Sequence, residues 1–352
     1  MKKSPILAAV LLAFAHGVHA QSSVSLFGTV DLAFTHAHAS VANLTSLTSG
    51  NYTPSRLGLR GTEDLGGGLS AGFWIEGSVL ADSGAGVTTN MNNQPSGLGT
   101  GVSALTWNRR STVSIASGWG ELRLGRDLMP HYLNIALFDP FGHIGIGLAQ
   151  PLASTVGGPT WVRASNSIQY LSAPNLGGFF GSAAVFFGEN ARTGAATEHD
   201  GDGYSARLGY GNGPLQVSAG FMRTRFATGN ITNSSVGGSY DFGVARAMAV
   251  VLRDEVQGAP ADGRGWQVGA VFPFGPHEFK VAYSGYRTNA ASRPKTTKLA
   301  LGYAYNLSKR TALYLIAARL DNSGGAAQPL AGAVAGPNGR ATGFNLGIRH
   351  NF

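Results

Sequence analysis

Four arginines stand where an extended chain would aim them together. Arg56 and Arg60 alternate with Leu57 and Leu59, Arg110 precedes Val113 and Ile115, and Arg123 separates Leu122 from Leu124. Side chains two apart share one face of a strand, so if the leucines meet an apolar medium the guanidiniums meet the opposite one. Lys280 and Lys298 follow the same parity. A guanidinium keeps its charge at any ordinary pH and offers donors only, so it is neither nucleophile nor general base. What a cluster of them can do is draw in anions and set a local field. The plainer alternative is that these arginines pair with Glu63, Asp64, Glu121 or Asp127 and stiffen a wall.

Other chemistry assembles poorly. Gly68-Leu69-Ser70-Ala71-Gly72 fits the nucleophile-elbow string, but that elbow needs a strand-to-helix turn, and here a period-two run follows a tight turn. No Ser/His/acid set can be built from spacing, so no enzymatic activity is expected. His36 and His38 share a strand face, with His131 and His143 far along the chain, and no third ligand or supporting shell accompanies them. Gly66-Gly67-Gly68 lacks the strand–loop–helix context and the Lys-Ser/Thr of a phosphate loop. The expectation is no metal and no cofactor.

The elements that must position the arginines read as strands throughout. Val24–Leu32, Leu69–Glu76, Tyr204–Tyr210, Thr297–Tyr303 and Phe344–Phe352 all alternate apolar with small or polar residues. Two kinds of link separate them. Tight turns rich in Gly, Pro, Asn and Asp occur at 63–67, 117–120, 173–177, 211–214, 241–243, 273–276 and 306–309. Longer polar or glycine-rich links fall near 37–51, 81–106, 128–163, 189–203, 227–233, 255–264, 288–295 and 321–340. Seven short and eight long connections imply sixteen strands.

Residues 1–20 read as a secretory signal: Met1-Lys2-Lys3, an apolar stretch from Ile6 to Ala15, and Val18-His19-Ala20 before Gln21. Its loss takes Lys2 and Lys3 with it and lowers the formal net charge from +8 to +6. No other stretch is long enough for a membrane helix. Charged residues make up 12% of the chain, about half the globular norm. The absence of cysteine rules out a disulfide framework. Basic residues are scattered rather than run together, which argues against nucleic acid as a partner. The pattern as a whole implies an all-β, 16-stranded antiparallel transmembrane β-barrel over 21–352, with short periplasmic turns and long extracellular loops. In hydrocarbon an unpaired sheet edge is not viable, so the strand at about 22–36 should pair with that at 341–352. Sixteen strands leave an aqueous lumen, where eight would fill with side chains.

The chain also resembles the Gram-negative trimeric general porins of the β-proteobacterial type. The resemblance rests on Ser25–Asp31, Ser55–Gly68, Arg110–Val113 with Gly120–Arg126, Asn166–Tyr170 and the terminal Gly347–Phe352. It implies a homotrimer in the outer membrane, among its lipids and lipopolysaccharide, passing small hydrophilic solutes and ions without an energy source. It also implies that the third long loop, 128–163, folds inward to narrow the pore, with acidic loop residues facing basic wall residues. Here that loop offers only Asp139, opposite Arg56, Arg60, Arg110 and Arg123, from which a weak anion preference is expected. Phe352 resembles the terminal signal read by the barrel-assembly machinery. Phe34, Tyr170, Phe179, Tyr240 and Phe272 fit interfacial girdles. A substrate-specific channel for a sugar or phosphate is the alternative.

Overall fold

In the computed structural model, residues 23–97, 102–174, 176–258 and 262–352 are described; the proposed signal segment lies outside them. They form one closed antiparallel sheet. Its first half comprises β1 (Ser23–Ala39), β2 (Leu44–Ser49), β3 (Arg56–Gly66), β4 (Leu69–Leu80), β7 (Arg110–Ser117), β8 (Gly120–Leu128), β9 (Arg163–Ser172) and β10 (Phe179–Phe186). The second half comprises β11 (Gly203–Asn212), β12 (Leu215–Thr224), β13 (Ile231–Asp241), β14 (Arg246–Val256), β15 (Gly263–Phe274) and β16 (His277–Thr288). It closes with β17 (Lys295–Asn306), β18 (Thr311–Ser323) and β19 (Arg340–Asn351). Two short strands, β5 (Ala85–Val87) and β6 (Val102–Ser103), decorate the second long loop. With β2 and β3 counted as one interrupted wall strand, the barrel has sixteen, as the turn and loop pattern implies.

Closure is a matter of register. β1 pairs with β19 from Thr29 opposite Asn351 to Ala39 opposite Ala341, while its lower half pairs with β3 from Ser23 opposite Thr62 to Thr29 opposite Arg56. The last residue completes the seam: Phe352 N–H donates to Gly28 O and Gly28 N–H to Phe352 O, both at 3.1 Å. No edge is left to meet lipid. The alternation then sorts the side chains. On β1, Val24, Leu26, Val30 and Phe34 are exposed outward, whereas Asp31, Thr35 and Ala37 are buried on the inside. Tyr170, Phe179, Tyr240 and Phe272 are likewise exposed.

The first long loop departs from expectation. Residues 44–49 are not loop but strand, paired with β1 from Leu32 opposite Ser49 to Ala37 opposite Leu44. The irregular segment is 50–55, and it turns inward between β2 and β3. The Asp31 carboxylate holds it by accepting the N–H groups of Tyr52 at 2.8 Å, Thr53 at 2.6 Å and Asn51 at 3.3 Å. Ser55 Oγ accepts the Asp31 N–H at 3.0 Å. A buried backbone with no strand partner must find its hydrogen bonds somewhere, and one carboxylate supplies three.

Candidate functional site

The third long loop leaves β8, runs through the lumen and returns at β9. It contains two short helices, Pro130–Ala136 and Gln150–Ser154, each with proline in the first turn, where a missing N–H costs nothing. The first helix packs on the inner face of β11, β12 and β13; the second packs on β15 and β16. Polar wall residues stitch the loop down. Ser205 Oγ accepts His131 N–H at 3.0 Å, Asn134 Nδ2 donates to Ser235 Oγ at 2.9 Å, and Gln267 Nε2 donates to Phe138 O at 2.9 Å. Further along, Ser284 Oγ accepts Gln150 N–H at 2.9 Å, and Thr155 Oγ1 donates to Asp254 at 2.6 Å. Phe138, Phe141 and Ile146 fill the space behind. At the loop's far end Gly145 passes so close to Asn51 O that a Cβ there would collide with it. The third loop thus abuts the inward segment 50–55.

The arginines line the other half of the ring, on β3, β7 and β8. Their carboxylate neighbours sit among them. Arg56 lies 3.7 Å from Glu76, which Arg109 also engages through its Nε. Arg110 lies 3.5 Å from Asp127, and Arg123 meets Glu121 at 2.8 Å and Asp127 at 3.1 Å. Arg60 takes no carboxylate; its guanidinium stands 5.3 Å from the Phe27 ring and 5.0 Å from Trp74. Arg110 is 4.5 Å from the same Trp74 ring. Of the four, Arg56, Arg110 and Arg123 are thus paired with carboxylates, and Arg60 is exposed and has no carboxylate partner among the described residues.

Two further arginines belong to this wall and were not singled out by parity. Arg109 precedes β7, outside the alternating run, and Arg163 opens β9, donating through Nε to Arg109 O at 2.8 Å. Burial, with the nearby Arg163 charge adding to it, holds the His143 imidazole down to about 4. Among the described residues of this wall, Arg56, Arg109, Arg110 and Arg123 thus share three carboxylates, Glu76, Glu121 and Asp127, while Arg60 and Arg163 pair with none. Position in an unpatterned junction hides such residues from an alternation argument.

Asp139 needs correction. Its side chain is 4% exposed and does not face the channel. One carboxylate oxygen accepts Phe141 N–H at 3.0 Å, and the other accepts His143 N–H at 3.1 Å and Ala149 N–H at 3.0 Å. Burial pushes its carboxyl upward, against these three bonds and the charge of Lys298. A glycine-rich loop has few side chains to satisfy its own amides, and its sole carboxylate is used for that. Lys298 is corrected with it: it points inward but is 4% exposed beneath the loop, so it is no pore-lining charge. Lys280 does line the interior, 3.0 Å from Glu278 and 4.6 Å from the centre of the Tyr52 ring. Tyr52 OH donates to Glu278 at 2.6 Å, which ties the inward segment to β16. His131, fully buried against Trp161, is held down to about 3 by desolvation.

The family model described as Gram-negative porin matches residues 7–325. Outer membrane porin protein 32 of Delftia acidovorans is 36% identical over the whole of both chains. The major outer membrane protein P.IB of Neisseria meningitidis is 25% identical, again over the whole of both. Among solved structures, the anion-selective porin from Comamonas acidovorans superposes with a TM-score of 0.82 at 34% identity, covering 94% of this chain and all of that one.

Proposed function

Because the chain belongs to the Gram-negative porin family, we propose that its arginine wall makes an outer-membrane channel prefer anions. The protein is an integral β-barrel of the Gram-negative outer membrane, and its family and fold are those of passive channels rather than enzymes. The observation that carries the preference is an imbalance. Arg56, Arg60, Arg109, Arg110, Arg123 and Arg163 stand across from a loop whose only carboxylate is turned into its own backbone. The loop side offers no counter-lining for cations, so the potential across the narrowing is positive from the wall inward. That the Comamonas acidovorans relative is described as anion-selective agrees with this reading.

A homotrimer is part of the proposal and rests on family membership. Phe352 closing the seam against Gly28 agrees with a role for the C-terminus in assembly.

The test is single-channel conductance of the refolded mature protein in planar bilayers, with the reversal potential read across a potassium chloride gradient. A potential set by chloride carries the proposal, and conductance steps in threes carry the trimer. A potential set by potassium overturns the arginine reading. A channel silenced by one phosphate or sugar at saturating concentration would replace general diffusion with a specific site.

A further inference from the structure

On the inner faces of β1, β3, β4 and β7, aromatic rings and guanidiniums alternate. Phe27 on β1 stands opposite Gly58 on β3, Arg60 on β3 opposite Trp74 on β4, and Trp74 opposite Thr112 on β7. The inner face of β3 reads Arg56, Gly58, Arg60, and the Phe27 ring fills the gap at Gly58, where a Cβ would meet it at 2.3 Å. Glycine inside a strand often marks such a close approach. Phe27 meets Trp74 edge-on, with ring centroids 5.1 Å apart and planes at 69°. Trp74 is fixed in turn, its Nε1 donating to Glu76 at 3.1 Å. Arg60 sits in the corner between the two rings, 5.3 Å from the Phe27 centroid and 5.0 Å from that of Trp74.

The other guanidiniums of this wall are engaged by the protein. Arg56, Arg109, Arg110 and Arg123 stand beside carboxylates, and Arg163 donates to Arg109 O. Arg60 makes neither a hydrogen bond nor an ion pair through its side chain among the described residues, and it is exposed. A contact between a guanidinium and a ring uses the charge and the flat face of the group, and leaves the N–H groups in its plane unspent. The rings therefore hold Arg60 in place while its whole donor fork stays open. β3 runs from Arg56 at the narrowing toward the tight turn after Gly66, so Arg60 is the next guanidinium along that strand on the short-turn side.

We propose that Phe27 and Trp74 are positioning residues that present Arg60 as an oxyanion station in the lumen, one that takes a carboxylate group in preference to a halide of the same charge. A guanidinium matches the two oxygens of a carboxylate with two parallel N–H···O bonds, whereas chloride offers the fork a single centre. The same wall shows the pairing that a solute would copy: Arg123 meets both oxygens of Glu121, through Nε and Nη2, each at 2.8 Å. At Arg60 that partner is missing and the rings take over its positioning role. The inference rests on the anion preference of the arginine wall and goes beyond it, because net charge alone does not tell a carboxylate from chloride.

Single channels of the refolded mature protein would be recorded in potassium acetate and in potassium chloride over rising concentration, and the half-saturating concentration read for each salt. A solute that dwells at a station saturates the current, so the acetate value should lie below the chloride value. Arg60→Lys keeps the charge but loses the fork, and should raise the acetate value by roughly fivefold while moving the chloride value far less. Phe27→Leu and Trp74→Leu leave Arg60 without its rings and should act in the same direction, whereas Trp74→Phe should restore the wild-type acetate value. Heat-resistant migration reports the folding of each variant, and Phe27→Leu carries the test should Trp74→Leu fold poorly. Equal half-saturation for the two anions in the wild type, or an acetate value that Arg60→Lys and Phe27→Leu leave unchanged, would overturn the station while the wall's anion preference stands. A reversal potential set by potassium in a chloride gradient would overturn that preference and the station with it.

Discussion

Asp31 on β1 and Tyr314 on β18 are joined across the seam of the barrel, the tyrosine hydroxyl donating to the carboxylate at 2.5 Å. The same carboxylate holds the inward segment 50–55 through three N–H groups. One buried acid thus couples closure of the sheet to a projection that meets the third loop at Gly145.

Asp31→Ala removes four acceptor contacts at once. Each hydrogen bond to a charged group is worth about 1.5–3 kcal/mol, so a loss of several kcal/mol is expected. The unfolding temperature of the barrel should fall, and open-channel current should become noisier as segment 50–55 loosens. A variant with wild-type noise and stability would show that the segment is held by other means.

Asp139→Asn separates two roles that loop acids could play. The side chain caps Phe141, His143 and Ala149 and is shielded from the channel. The expected result is a less stable loop with unchanged reversal potential. A shift toward greater anion preference would mean that the carboxylate is felt in the pore after all.

Among the arginines, charge removal should act in order of how little each is compensated. Arg60→Gln removes a guanidinium with no carboxylate partner, while Arg123→Gln removes one that meets two. Reversal potentials should move toward cations more for Arg60 than for Arg123. Raising salt from 0.1 to 1 M, where the screening length falls from about 10 to about 3 Å, should shrink the difference.

His131 and His143 give the third loop a pH dependence. His131 is buried and His143 half-buried, and desolvation holds them down to about 3 and about 4 from the usual 6.5. Below the unfolded value a released histidine binds a proton that the packed one refuses, so protonation favours release. Loop anchoring is fully present above about pH 6.5 and weakens as pH falls toward 4 and then 3. Channel closures or flicker should rise over that window, and His131→Phe should reduce the change. Flat behaviour from pH 7 to 4 would count against it.

Phe352 lies over Gly28 so closely that a Cβ on Gly28 would meet the ring at 2.3 Å. Gly28→Val and Phe352→Ala should each lower the yield of heat-resistant folded barrel, with Gly28→Ala intermediate. Full yield from Phe352→Ala would deny the terminus a role in closure.

Much of this molecule is legible in one dimension because alternation is a local property. Leu57 and Leu59 against Arg56 and Arg60 fix which way each points, and the count of turns and loops fixes sixteen strands and hence an aqueous lumen. What alternation cannot register is contact between residues far apart in the chain. Nothing in the run around Asp139 says that its carboxylate will be spent on loop amides, or that Lys298 will lie beneath that loop. The first long link reads as 37–51, yet the irregular segment is 50–55, and its direction depends on Asp31, some twenty residues earlier, and on Tyr314 far along the chain. The file of Arg253, Arg264, Arg287 and Lys295 likewise exists only through register. Arg264 and Lys295 read as the ends of long links in the sequence; only pairing across the sheet sets the four side by side.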